Sequence, residues 1–205
     1  MAKRRMMRVK PESDSPSDST RNEEEPKKKR KKEKKKKIVA APSSAQLPST
    51  GTIVGIDPGS RCGWACCSNG EIMSGMWDTR VKLRKEGGGM RYLRLEKQMN
   101  EFFDKLDEKV DCLFFEEVRR HKGVDAAHVY GGVVATITKV CEQREIPYAS
   151  VPVGTVKKRA TGKGNAGKED MVAAANREFG LGLSDKENDR ADALWILVCG
   201  IEEVG

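Results

Sequence analysis

Four acidic residues stand where a site for divalent cations would need them. Asp57 ends the apolar run at 52–57, where a Pro-Gly pair follows, and Glu116 ends a second apolar run. Asp189 and Asp192 are three residues apart in an apolar stretch, so on a helix they share one face. Carboxylates that face a sheet are costly unless they are paired. Mg²⁺ binds a few carboxylates and shares phosphate oxygens with a substrate, so this pattern indicates phosphodiester hydrolysis.

Taken singly, these acids could also have ordinary structural roles. Asp57 suits a turn, Glu116 suits an exposed Glu116-Glu117 pair, and Asp189 suits a helix N-cap. Taken together the ordinary explanations are weaker, because they must account for acids at the ends of two apolar strands and for an acidic pair on an apolar helix.

The sequence predicts an α/β body that begins near Gly51. Short apolar runs indicate strands, Asn69-Gly70 indicates a hairpin turn, and apolar residues at helical spacing indicate helices. The predicted order is βββαβαβαα, a three-stranded meander followed by crossover helices and further strands. The predicted strands are 52–57, 62–68, 71–77, 112–115 and 147–151, and the predicted helices are 90–106, 125–145, 168–178 and 189–200.

The basic charge of the chain belongs to its first 50 residues. Residues 1–50 hold 16 Lys and Arg against 7 Asp and Glu, whereas residues 51–205 hold 23 against 24. The first segment contains too little apolar surface to offset its ordering entropy, so we expect a disordered tail at 1–50 and one folded domain at 51–205. The lysine-rich run 26–37 suits a solubilising tail, a nucleic-acid-binding arm, or a nuclear import sequence if the host is eukaryotic.

Composition also argues against several classes of protein. No run of about 18 apolar residues predicts a membrane span, and the N-terminus lacks the apolar stretch of a secretory signal. The six cysteines form no C-x-x-C pair and several lie in apolar runs, so buried thiols of an intracellular protein are expected rather than a zinc site.

The motifs that carry the acids resemble the RuvC family of Holliday junction resolvases. Gly55-Ile-Asp-Pro-Gly resembles the opening strand of that family, Phe115-Glu-Glu-Val resembles its second motif, and Asp189-Arg-Ala-Asp-Ala-Leu resembles its final helix. Between them, Val156-Lys-Lys and Gly162-Lys-Gly-Asn-Ala-Gly-Lys resemble its lysine-containing stretch. The resemblance covers about 51–205 and implies a ribonuclease H-like α/β fold, with a mixed five-stranded sheet (βββαβαβα) flanked by helices.

The resemblance also implies roles for individual residues. Asp57, Glu116, Asp189 and Asp192 would bind two Mg²⁺ ions, for which Mn²⁺ is a substitute, and Lys157 and Lys168 would lie near the scissile phosphate. The implied reaction is the cutting of branched DNA at four-way junctions, leaving 5′-phosphate and 3′-hydroxyl ends. Glu117 replaces the commoner Gln of the family, which leaves open whether Glu116 or Glu117 is the ligand.

Further basic residues are candidates for contacts with DNA phosphates, and each also suits a solvated surface. They are Lys158, Arg159, Lys163, Arg119, Arg120, Lys122 and Arg84. A junction is cut symmetrically, so two active sites are needed on one substrate, and the resemblance implies a homodimer. Gly131-Gly132 on the predicted helix 125–145 suits close packing against such a partner or against the protein's own sheet.

Three other functions fit parts of the sequence. Another ribonuclease H-fold nuclease, acting on flaps, RNA–DNA hybrids or other branched DNA, would share the same motifs. A noncatalytic nucleic-acid-binding module is disfavoured by the intact set of four acids. An actin-like phosphotransferase is suggested only by Gly55–Gly59, and a body of some 155 residues is too short for two lobes of that kind.

Overall fold

A mixed β-sheet forms the centre of the folded domain. The computed structural model describes residues 37–39, 51–119 and 123–205. In this part of the chain the sheet has six strands, in the spatial order β1-β4-β3-β2-β5-β6. The strands are β1 (Lys37–Val39), β2 (Thr52–Asp57), β3 (Arg61–Ser68), β4 (Glu71–Asp78), β5 (Cys112–Glu117) and β6 (Tyr148–Pro152).

The pairing of the strands follows their connections. β2, β3 and β4 form an antiparallel meander, in which Asn69 and Gly70 make the predicted hairpin turn with φ of 50° and 77°. β5 lies parallel to β2 and β6 lies parallel to β5, since helices connect them. The carboxyl ends of β2, β5 and β6 therefore meet at one edge of the sheet.

Five α-helices cover both faces of the sheet in the described part of the chain. Successive strand residues point to opposite faces, so Ile53 of β2 packs into one core cluster and Val54 into the other. The first cluster lies under the last three helices and the second under the first two, which explains why the strands are almost continuously apolar. The helices are α1 (Met90–Phe103), α2 (Val124–Gln143), α3 (Val153–Thr161), α4 (Lys168–Phe179) and α5 (Asn188–Val204).

Two glycines allow the backbone of α5 to lie directly on the sheet. A Cβ atom on Gly55 of β2 would lie 2.6 Å from the backbone nitrogen of Leu197, and one on Gly63 of β3 would lie 1.8 Å from the carbonyl oxygen of Asp189. Both contacts are with backbone, which cannot rotate away as a side chain can. The absence of a side chain at these two positions therefore sets the distance between α5 and the meander.

The structure adds three elements that the sequence did not predict, of which one is a short 3-10 turn at Asp185–Glu187 before α5. β1 lies inside the segment 1–50, for which we expected no ordered structure, and pairs antiparallel with β4. Edge pairing needs only backbone hydrogen bonds, so the composition of the segment gave no sign of it. α3 was interpreted as a basic stretch; it is a nine-residue helix that buries Val156 and Ala160 and ends at Gly162. The five strands predicted for the body are confirmed as β2–β6, and the four predicted helices as α1, α2, α4 and α5.

The core of the described structure contains most of the cysteines. Cys62, Cys66, Cys67, Cys141 and Cys199 are buried, and Cys112 is partly buried. Gly132 of α2 contacts the ring of Tyr92, so this half of the Gly131-Gly132 pair serves packing within the chain. None of the helices in the described ranges combines the length and apolar character needed to cross a membrane.

Gly63→Ala should destabilise the protein by about 1–3 kcal/mol, because the added methyl group must push the start of α5 away from β3. The free energy of unfolding in urea measures the effect. Gly131→Ala is the matched control, since a Cβ at that position of α2 meets nothing within 4 Å and alanine favours a helix. Equal stability of Gly63→Ala and the wild type would contradict the close approach.

Candidate active site

The predicted acidic residues lie at one edge of the sheet. Asp57 is the last residue of β2, and Glu116 lies near the end of β5, its parallel neighbour. Gly63 of β3 pairs with Asp57 across the sheet, and it also contacts the backbone of Asp189 at the start of α5. Asp192 lies one turn further along α5, on the same side as Asp189. The sheet edge and the glycine contact together bring the four acids to one place.

The four carboxyl groups interact electrostatically. Burial raises the pKa of Asp57 well above its ordinary value, and the charges of Asp192, Glu116 and Asp189 raise it further. Burial, followed by the charge of Asp192, raises the pKa of Glu116 to about 7. Burial, followed by the charge of Asp189, raises the pKa of Asp192 to about 6. The acids therefore form a single cluster of partly buried charge that is unfavourable on its own.

Two lysines oppose this charge. The charge of Lys168, the first residue of α4, lowers the pKa of both Asp57 and Asp192. The charge of Lys157 of α3 lowers the pKa of Glu116 and of Asp192, and its Nζ donates a hydrogen bond of 2.8 Å to the carbonyl oxygen of Ala166. Both lysines that the sequence singled out thus lie within electrostatic range of the acids.

The structure separates Glu116 from Glu117. Neighbouring residues of a strand point to opposite faces, and the charge of Glu116, but not that of Glu117, is among the causes that raise the pKa of Asp57. The carboxylate of Glu117 instead accepts hydrogen bonds of 3.1 and 3.2 Å from Arg119. Glu116 is therefore the member of the pair that belongs to the acidic cluster.

The basic residues predicted to contact DNA differ in their exposure and in their partners within the protein. Lys158, Lys163 and Arg84 are exposed to solvent. The guanidinium group of Arg159 pairs with Glu202 at 2.7 Å and lies 5.7 Å from the ring centroid of Trp195, so it also serves packing between α3 and α5. Predictions for three regions lie outside the described residues: Arg120, Lys122, and the lysine-rich run up to residue 36.

The sequence did not predict a role for three residues near the cluster, Arg61, Tyr130 and Arg190. Arg61 pairs with Asp189 at 3.5 Å. The hydroxyl of Tyr130 donates to the carbonyl oxygen of Glu116 at 2.8 Å and accepts from the backbone N–H of Val118 at 3.0 Å, which fixes the end of β5. Only Arg61 carried a signal, because it directly follows the Gly-Ile-Asp-Pro-Gly-Ser motif.

Arg190, which lies between Asp189 and Asp192 in the sequence, anchors the start of α5. Its guanidinium group is buried, donates a hydrogen bond of 2.9 Å to the hydroxyl of Ser74 on β4, and lies 3.5 Å from the carboxylate of Glu187. No pattern in the sequence indicates a buried arginine, because its partners come from a distant strand and a neighbouring turn.

The cluster suits a divalent cation by its chemistry. Its donors are carboxylate oxygens, which hard cations prefer, and a cation would offset the repulsion that raises the three pKa values. As the side chains stand in this structure, no three Asp, Glu, His or Cys residues within the described ranges form a group that could hold a metal ion. An open set of acids is compatible with ions that keep several waters and share oxygens with a phosphate substrate.

Comparison with known proteins identifies the family. The family model described as crossover junction endodeoxyribonuclease RuvC matches residues 53–200. A protein of that name from Corynebacterium diphtheriae is 31% identical over 153 residues, which cover 71% of this chain and 91% of the relative. The protein of the same name from Corynebacterium glutamicum is 29% identical over 152 residues, which cover 72% of this chain and 67% of the relative.

Solved structures share the fold. RuvC of T. thermophilus, solved in complex with a Holliday junction substrate, has a TM-score of 0.59 and 19% identity, covering 72% of this chain and 91% of its own. The yeast mitochondrial Holliday junction resolvase has a TM-score of 0.50 and 15% identity, covering 77% of this chain and 80% of its own. These likenesses confirm the predicted ribonuclease H-like α/β fold. With the family model matched over most of its folded part, the chain belongs to the crossover junction endodeoxyribonuclease RuvC family.

Proposed function

We propose that this chain cuts DNA strands at four-way junctions by metal-assisted hydrolysis of phosphodiester bonds. The observation that carries the proposal is the cluster of Asp57, Glu116, Asp189 and Asp192 at the edge of the sheet, where burial and then mutual repulsion raise the pKa of Asp57, Glu116 and Asp192. A cluster of this kind is unfavourable for stability and favourable for binding cations next to a phosphate. Membership of the RuvC family supports branched DNA as the substrate.

The four carboxylates are the proposed ligands of two Mg²⁺ ions. When bound, such ions activate a water molecule and neutralise charge on the attacking and leaving oxygens. Asp57 receives repulsion from all three other acids, so its carboxylate would be central to the set that holds the ions. Arg61, which pairs with Asp189, holds that carboxylate in orientation. Mn²⁺, which also prefers oxygen ligands, would take the same positions.

Lys157 and Lys168 are proposed to stabilise the negative charge that grows on the phosphate during hydrolysis. A fixed cation beside that charge helps the transition state more than the ground state. Lys157 is held by the carbonyl oxygen of Ala166, whereas Lys168 is exposed at the start of α4. A cation is disfavoured by the dipole at a helix N-terminus, so stability does not explain why lysine stands at position 168.

The exposed Lys158, Lys163 and Arg84 are proposed phosphate contacts, which would orient the DNA without reading its sequence. Arg119 and Arg159 already have carboxylate partners in Glu117 and Glu202, so a contact with DNA would compete with these pairs. A four-way junction presents two symmetric strands, and a homodimer with two sites matches that symmetry.

The wild type should cut a synthetic four-way junction in Mg²⁺ but not in EDTA, and should leave a matched linear duplex uncut. Asp57→Asn should abolish cleavage and retain junction binding, because it removes a metal ligand without changing the shape of the site. Strand cleavage on denaturing gels and a binding isotherm measure the two properties. Near-normal turnover by Asp57→Asn would contradict the site, and preferred cleavage of flaps or hybrids would replace the junction as substrate.

Lys168→Ala should slow the single-turnover rate at saturating enzyme by about 10²–10³-fold, the usual loss when a group that stabilises transition-state charge is removed. Its junction affinity should change little by comparison. Lys163→Ala is the control. Lys163 is an exposed cation in the segment between α3 and α4, and its charge does not shift the pKa of Asp57, Glu116 or Asp192. An unchanged saturating rate with weaker binding would assign Lys168 to binding alone.

Asp192→Asn should stabilise the metal-free protein at pH 8 but not at pH 4. Below about pH 4 the carboxyl of Asp192 is protonated in both the folded and unfolded states, so it costs nothing. Between about pH 4 and its folded pKa of about 6, only the unfolded state loses the proton, so stability falls with rising pH and the loss persists above pH 6.

Thermal unfolding in EDTA at the two pH values measures this effect, which we expect to be of the order of 1 kcal/mol at pH 8. The exposed Asp107 provides the control variant, Asp107→Asn. A stabilisation of Asp192→Asn that is the same at both pH values would show that repulsion among the carboxylates is not its cause.

A further inference from the structure

A second concave surface adjoins the acidic cluster. We call it the side cleft; it has a volume of about 470 Å³ and is lined by the turn 58–60, Val118, Arg91 of α1 and one face of α2 between Asp125 and Tyr130. This volume lies in the usual range for sites that bind small organic groups. None of the residues proposed above as metal ligands or catalytic lysines lines it.

The side cleft shares its wall with the proposed catalytic centre. Its turn 58–60 directly follows Asp57, and Val118 follows the Glu116-Glu117 pair. Tyr130 joins the two regions, because its hydroxyl bonds both the carbonyl oxygen of Glu116 and the backbone N–H of Val118. A polymer whose phosphate reaches the acids therefore places a neighbouring group at the mouth of the side cleft.

Arg91 supplies the positive charge of the side cleft. Its Nη1 donates a hydrogen bond of 3.0 Å to the hydroxyl of Ser60, and no carboxylate in the described ranges lies within ion-pair distance of it. Arg94, three residues along the same helix, is in contrast paired with Glu86. A half-buried guanidinium held by a neutral hydroxyl retains donors for an anion, and Arg is well suited to phosphate.

The start of α2 adds to the attraction for an anion. Asp125 and Ala126 belong to its first turn, whose backbone N–H groups have no acceptor within the helix, and the N-cap residue Gly123 makes no side-chain cap. Ala126 and Val129 give the cleft an apolar side next to this polar end. The carboxylate of Asp125 is the one acid among the lining residues, and it opposes a bound phosphate.

We propose that the side cleft is a subsite for the nucleotide next to the scissile phosphate, in which Arg91 binds that nucleotide's phosphate and the apolar side of α2 contacts its sugar or base. The subsite deepens the proposed function and rests on it, because it requires a DNA strand in the acidic cluster. Its effect is to fix the register of the strand, so that one particular phosphate lies over the four acids. Arg91 is thus a positioning residue.

The test couples a change in the protein to a change in the DNA. Six junctions each carry a single neutral methylphosphonate, at one of the three phosphates on either side of the scissile one. Their binding to the full chain is measured with Ca²⁺ in place of Mg²⁺, and gels confirm that no strand is cut. Arg91→Ala should raise the dissociation constant of the unmodified junction about tenfold and lower the salt slope by about one. A methylphosphonate at one phosphate adjacent to the scissile one should weaken junction binding by the wild type to a similar extent. The same methylphosphonate should weaken junction binding by Arg91→Ala less than about twofold.

Three further variants control for the position of the charge, for its sign and for the integrity of the fold. Lys97→Ala removes the same charge from an exposed position of α1, and it should show no coupling to any methylphosphonate. Asp125→Asn removes the opposing charge of the side cleft and should tighten binding of the unmodified junction. Arg91→Lys keeps the charge and should recover part of the affinity, which separates a lost contact from a folding defect.

Two results would overturn the subsite. One is additive losses for Arg91→Ala and methylphosphonates at all six positions; the other is an Arg91→Ala affinity equal to that of Lys97→Ala. Cleavage of the unmodified junction by the wild type in Mg²⁺ is recorded in parallel. Absent cleavage with intact coupling would refute the proposed reaction but not the subsite, whereas normal cleavage without coupling would refute the subsite alone.

Discussion

The contact between the backbone of α5 and the two glycines of the sheet is the constraint on which the site depends. Gly63 is the strand partner of Asp57, and its face toward α5 contacts the backbone of Asp189. A single residue without a side chain therefore connects two of the acids. Gly55 sets the same close spacing further along the helix. Any side chain at these positions would widen the gap between sheet and helix, and the four carboxylates would no longer form one cluster.

The electrostatic interactions within the acidic cluster oppose its formation. Burial and repulsion disfavour the charged forms of Asp57, Glu116 and Asp192, and the two lysines offset this only partly. The surrounding apolar core, which covers both faces of the sheet, stabilises the arrangement. A hydrophobic scaffold of this kind lets a protein keep a cluster of charges that is locally unfavourable.

The sequence predicted the parts of the site that depend on local pattern. Asp57 and Glu116 were located because an apolar run that ends in an acid identifies a strand end, and Asp192 because a spacing of three fixes a helix face. Arg190 and Tyr130 could not be predicted, since each acts through a partner that only the fold brings near. α3 was missed because a short basic helix with two buried residues lacks a clear period, and β1 because an edge strand is specified by the backbone of its neighbour.

The buried thiols have a consequence for the chemical durability of the protein. Burial raises the pKa of Cys62, close to Asp57, and raises the pKa of Cys141 to about 12 and of Cys199 to about 11. Peroxides and alkylating reagents attack the thiolate, and at neutral pH a thiol with a pKa of 11 is ionised in only about one molecule in 10⁴. These cysteines can therefore fill the core without presenting a reactive thiolate to oxidants.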